Sequence, residues 1–239
     1  MQTAYVEEFG PAEAIRYGEL PRPAVGPLDV LVRVAAVAVD GIDVYIRSGA
    51  YPVNVAMPFV IGRDLVGTVA ETGAEVTRFR KGDAVWANNQ GYDGRQGSFS
   101  EYCAVAEDLL YPLPEGVDPL AAAAVLHSGL TAVLGLQFKA RLQAGESVFV
   151  NGGAGNVGSS ILAIAKALGA RIAVTASSPE KAAWCRSLGA DLVIDYRREN
   201  VREALREFAP SGVDVYFDTT RKFDGELAVE SLARRGRIV

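Results

Sequence analysis

The chain has 239 residues, 49% of them hydrophobic and 22% charged, which are the proportions of a soluble globular protein of one or two domains. With 24 basic against 29 acidic side chains the net charge is −5, a balance that excludes duplex nucleic acid as the main partner. Only Cys103 and Cys185 are present, which excludes a disulfide framework and a four-cysteine zinc site. No unbroken apolar run reaches membrane-spanning length, so no membrane association is predicted. Met1–Glu8 lacks the basic and apolar regions of a signal peptide, and a cytoplasmic protein is expected.

The first half reads as β-structure. Short apolar or alternating runs at Ile15–Leu20, Asp29–Val39, Leu65–Glu71, Asp83–Ala87 and Phe99–Val105 are separated by turn signals such as Gly26-Pro27 and Lys81-Gly82-Asp83. An irregular all-β unit of barrel-like form is the natural reading. A short helix is expected at Ile42–Arg47, and Tyr92–Ser100 reads as a polar, glycine-rich loop with no packing role.

The texture changes at Pro112-Leu113-Pro114-Glu115-Gly116, which sets the expected domain division at 1–117 and 118–239. Asp118 can cap a helix begun by Pro119, with the apolar stretch Leu120–Leu136 following. Beyond it strands and helices alternate. Strands are predicted at Val148–Asn151, Ile172–Ala176, Leu192–Asp195 and Val213–Phe217, and helices at Asn156–Leu168, Pro179–Leu188 and Val201–Phe208. Alternation with short connections predicts an α/β unit, a doubly wound parallel sheet with covering helices. Gly236–Val239 looks like the opening of a fifth parallel strand, so a six-stranded sheet would be incomplete at the C-terminus.

Chemistry concentrates in Gly153-Ala154-Gly155-Asn156-Val157-Gly158, which follows a predicted strand and opens a predicted helix. Glycines there permit a tight turn and close backbone approach to a pyrophosphate, while the helix N-terminus offers free N–H groups and a positive dipole end. The second strand of the unit ends Thr175-Ala176-Ser177-Ser178-Pro179-Glu180-Lys181, with no acid at its tip to bind a ribose 2′-OH. Hydroxyls of Ser177 and Ser178 and the cation of Lys181 suit a 2′-phosphate, so NADPH (NADP) is favoured over NADH. Ser178 also has the sequence signature of a helix cap before Pro179.

At this point the sequence resembles the medium-chain dehydrogenase/reductase superfamily, in its zinc-free quinone oxidoreductase branch. The resemblance rests on Asp43–Gly49, Gly62-Arg63-Asp64-Leu65-Val66-Gly67, Gly97–Tyr102, Gly129–Ala132, the glycine loop, and Leu188–Asp191 through Ile194–Tyr196. It implies a GroES-like β-barrel followed by a Rossmann domain, with an active site in the cleft between them. It also implies that Thr131 and Tyr196 join the cofactor site, and that a full-length chain would form a homodimer. Zinc-dependent relatives carry ligands at positions matching Asp40, Arg63 and the neighbourhood of His127. Because arginine cannot ligate zinc, no metal is expected. His127, the only histidine, reads as a packed helix residue rather than a catalyst. The resemblance further places Asp40, Tyr45 and Tyr51 at the acceptor site, although Asp40-Gly41 departs from the Asn-Pro common in the branch.

The leading expectation is a zinc-independent NADPH-dependent oxidoreductase transferring hydride to a small quinone or activated enone. The alternatives are an enoyl-thioester reductase and a non-catalytic NADPH-binding protein of the crystallin kind.

Overall fold

The computed structural model describes residues 1–220 and 222–239, which fall into two compact units, Met1–His127 and Ser128–Val239. The division lies within a helix, a little beyond the proline-rich stretch that marks it in the sequence.

In the first unit, β1 (Gln2–Val6) runs between β2 (Arg16–Glu19) and β4 (Phe59–Val60), all antiparallel. A second antiparallel sheet has the order β7 (Tyr102–Ala106), β3 (Asp29–Ala36), β5 (Leu65–Thr72), β6 (Ala84–Ala87), β8 (Tyr111–Pro112). Along β7 the alternation is regular, with Cys103 and Val105 buried and their neighbours half-exposed. Val30, Val32, Leu65, Val69, Val85 and Leu110 complete this core, each fully buried aliphatic contributing about 1.5–3 kcal/mol.

Several sequence expectations change here. β3 stops at Ala36 rather than Val39, and β7 starts at Tyr102 rather than Phe99. The first and fourth strands, short and partly polar, carry too little alternation to be read. Tyr92–Ser100 does pack. A Cβ at Gly97 would meet Val60 O at 2.3 Å, and Gln96 Oε1 accepts from Val60 N at 2.7 Å.

α1 (Gly41–Arg47) begins after Asp40, and α2 (Pro119–Val133) begins after Asp118, whose Oδ2 accepts from Ala121 N at 3.0 Å. A π-helical turn, Leu134–Lys139, continues α2. Together these residues, Pro119–Lys139, are long and apolar enough to cross a membrane, which the run-length reading did not register. Part of this helix packs within the two units, while Leu120, Val125, Leu130, Leu134 and Phe138 stay exposed. Ala122 and Ala123 pack with Ala36 and Val66 in the first unit, and Ala132 and Leu136 join the core of the second.

The second unit is a five-stranded parallel sheet ordered β11 (Leu192–Asp195), β10 (Arg171–Ala176), β9 (Ser147–Asn151), β12 (Val213–Asp218), β13 (Leu232–Ile238). Chain order reverses between β9 and β12, the switch point at which ligands of such sheets bind. α3 (Asn156–Ala167) buries Ile161, Leu162 and Ala165 against it, with Val157, Ile164 and Leu168 flanking. α4 (Pro179–Ser187) and α5 (Val201–Phe208) follow the expected spans closely, and α6 (Gly225–Ser231), absent from the sequence reading, precedes β13.

β13 is longer than its C-terminal signal suggests and pairs with β12 across a register shift, with Arg235 at φ +70°. Arg237 fixes it to the rest of the unit. Its Nη1 and Nη2 donate to the Glu146 carboxylate at 2.9 and 2.7 Å, and its Nε to Ala140 O at 2.8 Å. The Arg237 hydrogen bonds hold the Glu146 carboxyl below its ordinary pKa.

Candidate functional site

In the second unit, β9 ends at Asn151 and the chain turns through Gly152–Gly155 into α3. The glycines differ in what they do. Gly152 sits at φ +92°, where a Cβ would also strike Thr219 Oγ1 at 2.6 Å. Gly153 and Gly158 are required by close packing, since a Cβ at Gly153 would meet Val174 Cβ at 2.7 Å and one at Gly158 would meet Gly152 O at 2.3 Å. Gly155 differs from these: its φ is −74°, and a Cβ there would touch only Gly152 O, at an ordinary 3.4 Å. No backbone strain or internal crowding demands a glycine there, so the open space in front of it is what its missing side chain leaves. Gly155 is the N-cap of α3 and supplies no side chain to the amides of the first turn, which includes Asn156, Val157 and Gly158.

The turn is held from behind by residues the sequence reading passed over. Thr175 Oγ1 accepts from Gly152 N at 2.8 Å and lies 2.9 Å from Asn151 Oδ1, while Asn151 Nδ2 donates to Asp218 Oδ2 at 3.0 Å. Thr219 Oγ1 donates to Asn151 O at 2.7 Å. All four side chains stand at carboxyl ends of β9, β10 and β12, which was the available signal.

Parallel register pairs Ala176 with Asp195, so Ser177 and Tyr196 follow at adjoining strand tips. Ser178 is the N-cap of α4, accepting from Lys181 N at 3.3 Å, while Ser177 is half-buried and Lys181 and Tyr196 are exposed. An acid does stand at the tip of β11, but Asp195 is engaged, accepting from Arg197 N at 3.1 Å and pairing with Arg198 at 3.7 Å. Thr131 is half-buried on the part of α2 that belongs to this unit.

In the first unit, Asp40, Asp43 and Asp64 are buried together, at 4%, 5% and 0% exposure. Asp43 Oδ2 accepts from Asp40 N at 2.7 Å, and Asp64 Oδ1 from Ala38 N at 3.2 Å. Burial pushes the Asp43 carboxyl up to about 6 and that of Asp64 up to about 7, with the negative charge of Asp40 adding to both shifts. The other oxygen of Asp64, Oδ2, is buried with no hydrogen-bond partner among the described residues, which adds to the cost of charging it. Neither Asp43 nor Asp64 was singled out from sequence. Asp43 stands three residues after a cap residue, and Asp64 is an acid at the entry to an apolar strand.

Arg63 faces this group from a rigid loop. Gly62 sits at φ +108° with no room for a Cβ beside Phe99, Gln90 N donates to Arg63 O at 2.9 Å, and Ser98 Oγ donates to Asp64 O at 2.6 Å. The guanidinium lies 5.4 Å from the Tyr92 ring centre. Burial lowers its pKa, opposed first by the charge of Asp43. Burial likewise lowers the pKa of half-buried His127, against Asp40, which raises it, and Arg63, which lowers it further. Asp40, Arg63 and His127, far apart in sequence, therefore form one electrostatic group. Tyr45 and Tyr51 are 37% and 43% exposed, with Tyr51 N donating to Tyr45 O at 3.0 Å.

The antiparallel barrel-like unit and the parallel 3-2-1-4-5 sheet together define an oxidoreductase of the medium-chain dehydrogenase/reductase superfamily. The alcohol dehydrogenase GroES-like domain family matches residues 26–115, and the zinc-binding dehydrogenase family matches residues 156–239. A Pseudomonas aeruginosa quinone oxidoreductase is 37% identical over 232 residues, covering 97% of this chain and 70% of that protein. Among solved structures, a Pseudomonas syringae pv. Tomato DC3000 quinone oxidoreductase superposes with TM-score 0.91 at 34% identity, over 99% of this chain and 72% of that one. Escherichia coli quinone oxidoreductase complexed with NADPH gives TM-score 0.91 at 28% identity, over 100% and 72%. The chain belongs to the quinone oxidoreductase family of this superfamily and spans about 70% of the length of such relatives.

The name of the second matching family raises the question of zinc. The donor set does not fit. Among the described residues no group of three or more His, Cys, Asp or Glu side chains is placed to hold a metal ion, and Arg63, at a position the resemblance gives to a zinc ligand, has no lone pair to offer one.

Proposed function

We propose that the protein is a zinc-independent, NADPH-dependent reductase of quinones or activated enones. The observation that carries the cofactor choice is the pairing of two strand tips. Ser177 and Tyr196 adjoin, Lys181 stands free of ion pairs among the described residues, and the nearby acid Asp195 is engaged by Arg197 N and paired with Arg198. A 2′-phosphate finds donors and a cation there, where a 2′-OH specificity would use a free carboxylate. The open space at Gly155, with the uncapped first turn of α3 formed by Asn156, Val157 and Gly158, suits the pyrophosphate. Gly153 shapes that turn, Ser178 caps α4 with a hydroxyl that still has a proton to donate, and Thr131 completes the set.

The bound dinucleotide supplies a hydride. The protein's part is to hold the acceptor and manage its charge and proton, and Asp40, Tyr45 and Tyr51 are the residues we assign to the acceptor. We place the protein in the cytoplasm and expect a homodimer for a longer chain of this family.

Titration of both cofactors tests the reading. Lys181→Ala should weaken NADPH roughly fivefold to thirtyfold, as loss of an exposed charge-assisted bond does, and leave NADH nearly unchanged. Ser177→Asp should reverse the preference by repelling the phosphate and accepting the 2′-OH. Equal wild-type affinities for the two cofactors, or a Lys181→Ala loss shared by both, would remove the assignment. Turnover with a quinone, an enone and an acyl thioester then separates the acceptor classes, and zinc content by elemental analysis tests metal independence.

A further inference from the structure

We propose that Arg63 is the electrophile of the site, binding the acceptor oxygen on which negative charge collects during reduction. The inference deepens the reductase reading and rests on it.

A guanidinium drawn out of water is costly unless something anionic meets it. Arg63 is half-buried, its Nε is buried without any hydrogen-bond acceptor, and among the described residues no carboxylate comes within ion-pairing distance. The nearby carboxyls do not fill that need. Asp43 Oδ2 is turned to Asp40 N and Asp64 Oδ1 to Ala38 N, and the charge of Asp43 steadies Arg63 only from beyond ion-pairing distance. The Tyr92 ring supports the cation, and the loop at Gly62, Gln90 and Ser98 fixes its backbone. This is a preorganised positive group with an empty donor edge, beside Asp40 and Tyr51 of the acceptor set.

The positive charge that a metal brings in zinc-dependent chemistry is in this reading supplied by the side chain that displaces it. As the acceptor gains hydride from the reduced nicotinamide, the π electrons of its carbonyl or conjugated enone move onto oxygen. Arg63 N–H groups bind that oxyanion, and a proton from water then completes the hydroxyl or the saturated carbonyl product. No bond to Arg63 forms or breaks.

The test uses p-nitrophenol, whose phenolate absorbs visible light and mimics the oxyanion, with the protein saturated with NADP. Wild type should lower the pKa of bound p-nitrophenol by about one unit or more, a tenfold preference for the anion. Arg63→Gln should abolish that preference and Arg63→Lys should restore part of it, while the NADPH dissociation constant and the unfolding temperature stay near wild type. With a quinone, Arg63→Gln should lower kcat about 100-fold to 1000-fold and change KM little. An unshifted or unbound p-nitrophenol in wild type, or the same shift in a folded Arg63→Gln, would overturn the proposal. A normal phenolate preference without NADPH-dependent reduction of any acceptor would strike the reductase reading and leave the anion site standing.

Discussion

Gly155→Val should abolish measurable NADPH binding and leave the unfolding temperature within a degree or two of wild type. At φ −74° a valine is conformationally acceptable, and its Cβ meets Gly152 O at 3.4 Å, an ordinary contact. Its side chain would therefore occupy the space a pyrophosphate needs, with little cost to the empty protein. Gly158→Val is the control, because there the Cβ is 2.3 Å from Gly152 O and 2.8 Å from Gly153 C, both backbone. Overpacking of that kind costs about 3 kcal/mol or more, which should lower the midpoint by roughly 6–12 °C in a protein of this size. Calorimetry and cofactor titration on both variants separate the two roles. If Gly155→Val binds NADPH normally, the glycine turn is not the pyrophosphate site.

Asp64→Asn should make the protein more stable at pH 8, by about 2–4 kcal/mol, and change it little at pH 5. The folded carboxyl is pushed up to about 7 from an ordinary 3.8, and that of Asp43 up to about 6. Both groups bind protons more tightly folded than unfolded. Folding therefore takes up protons between about pH 4 and pH 7, and stability falls as pH rises through that window. Asparagine keeps the acceptor for Ala38 N, offers an N–H to Asp40, and has no charge to bury. Denaturant midpoints at pH 5 and pH 8 measure the difference. A pH dependence identical in wild type and variant would show that the Asp64 charge is not what burial penalises.

The Rossmann-like half was the easier to read, for reasons visible in particular residues. Helices such as Val201–Phe208 and strands such as Leu192–Asp195 are bounded by Asn200, Gly189 and other local signals, so their limits agree with the sequence expectation. The barrel-like half depends on pairings between distant segments. Gln2–Val6 becomes a strand only because Arg16–Glu19 and Phe59–Val60 flank it, and nothing local announces that. The candidate site divides in the same way. The glycine turn is contiguous and legible, but the association of Asp40 with Arg63, Asp64 and His127 arises from folding, as does the hold of Thr219 on Gly152. Which of the turn's glycines takes the positive φ was not legible either: it is Gly152 and not Gly155.

One further consequence follows from Arg237. β13 meets β12 across a register shift, so backbone pairing alone marks its seat poorly. The fork on Glu146 marks it well, because a slip of one residue would bring Gly236 or Ile238 opposite that carboxylate, and neither has a side chain that can donate. A single ion pair therefore works as a locating pin for the strand.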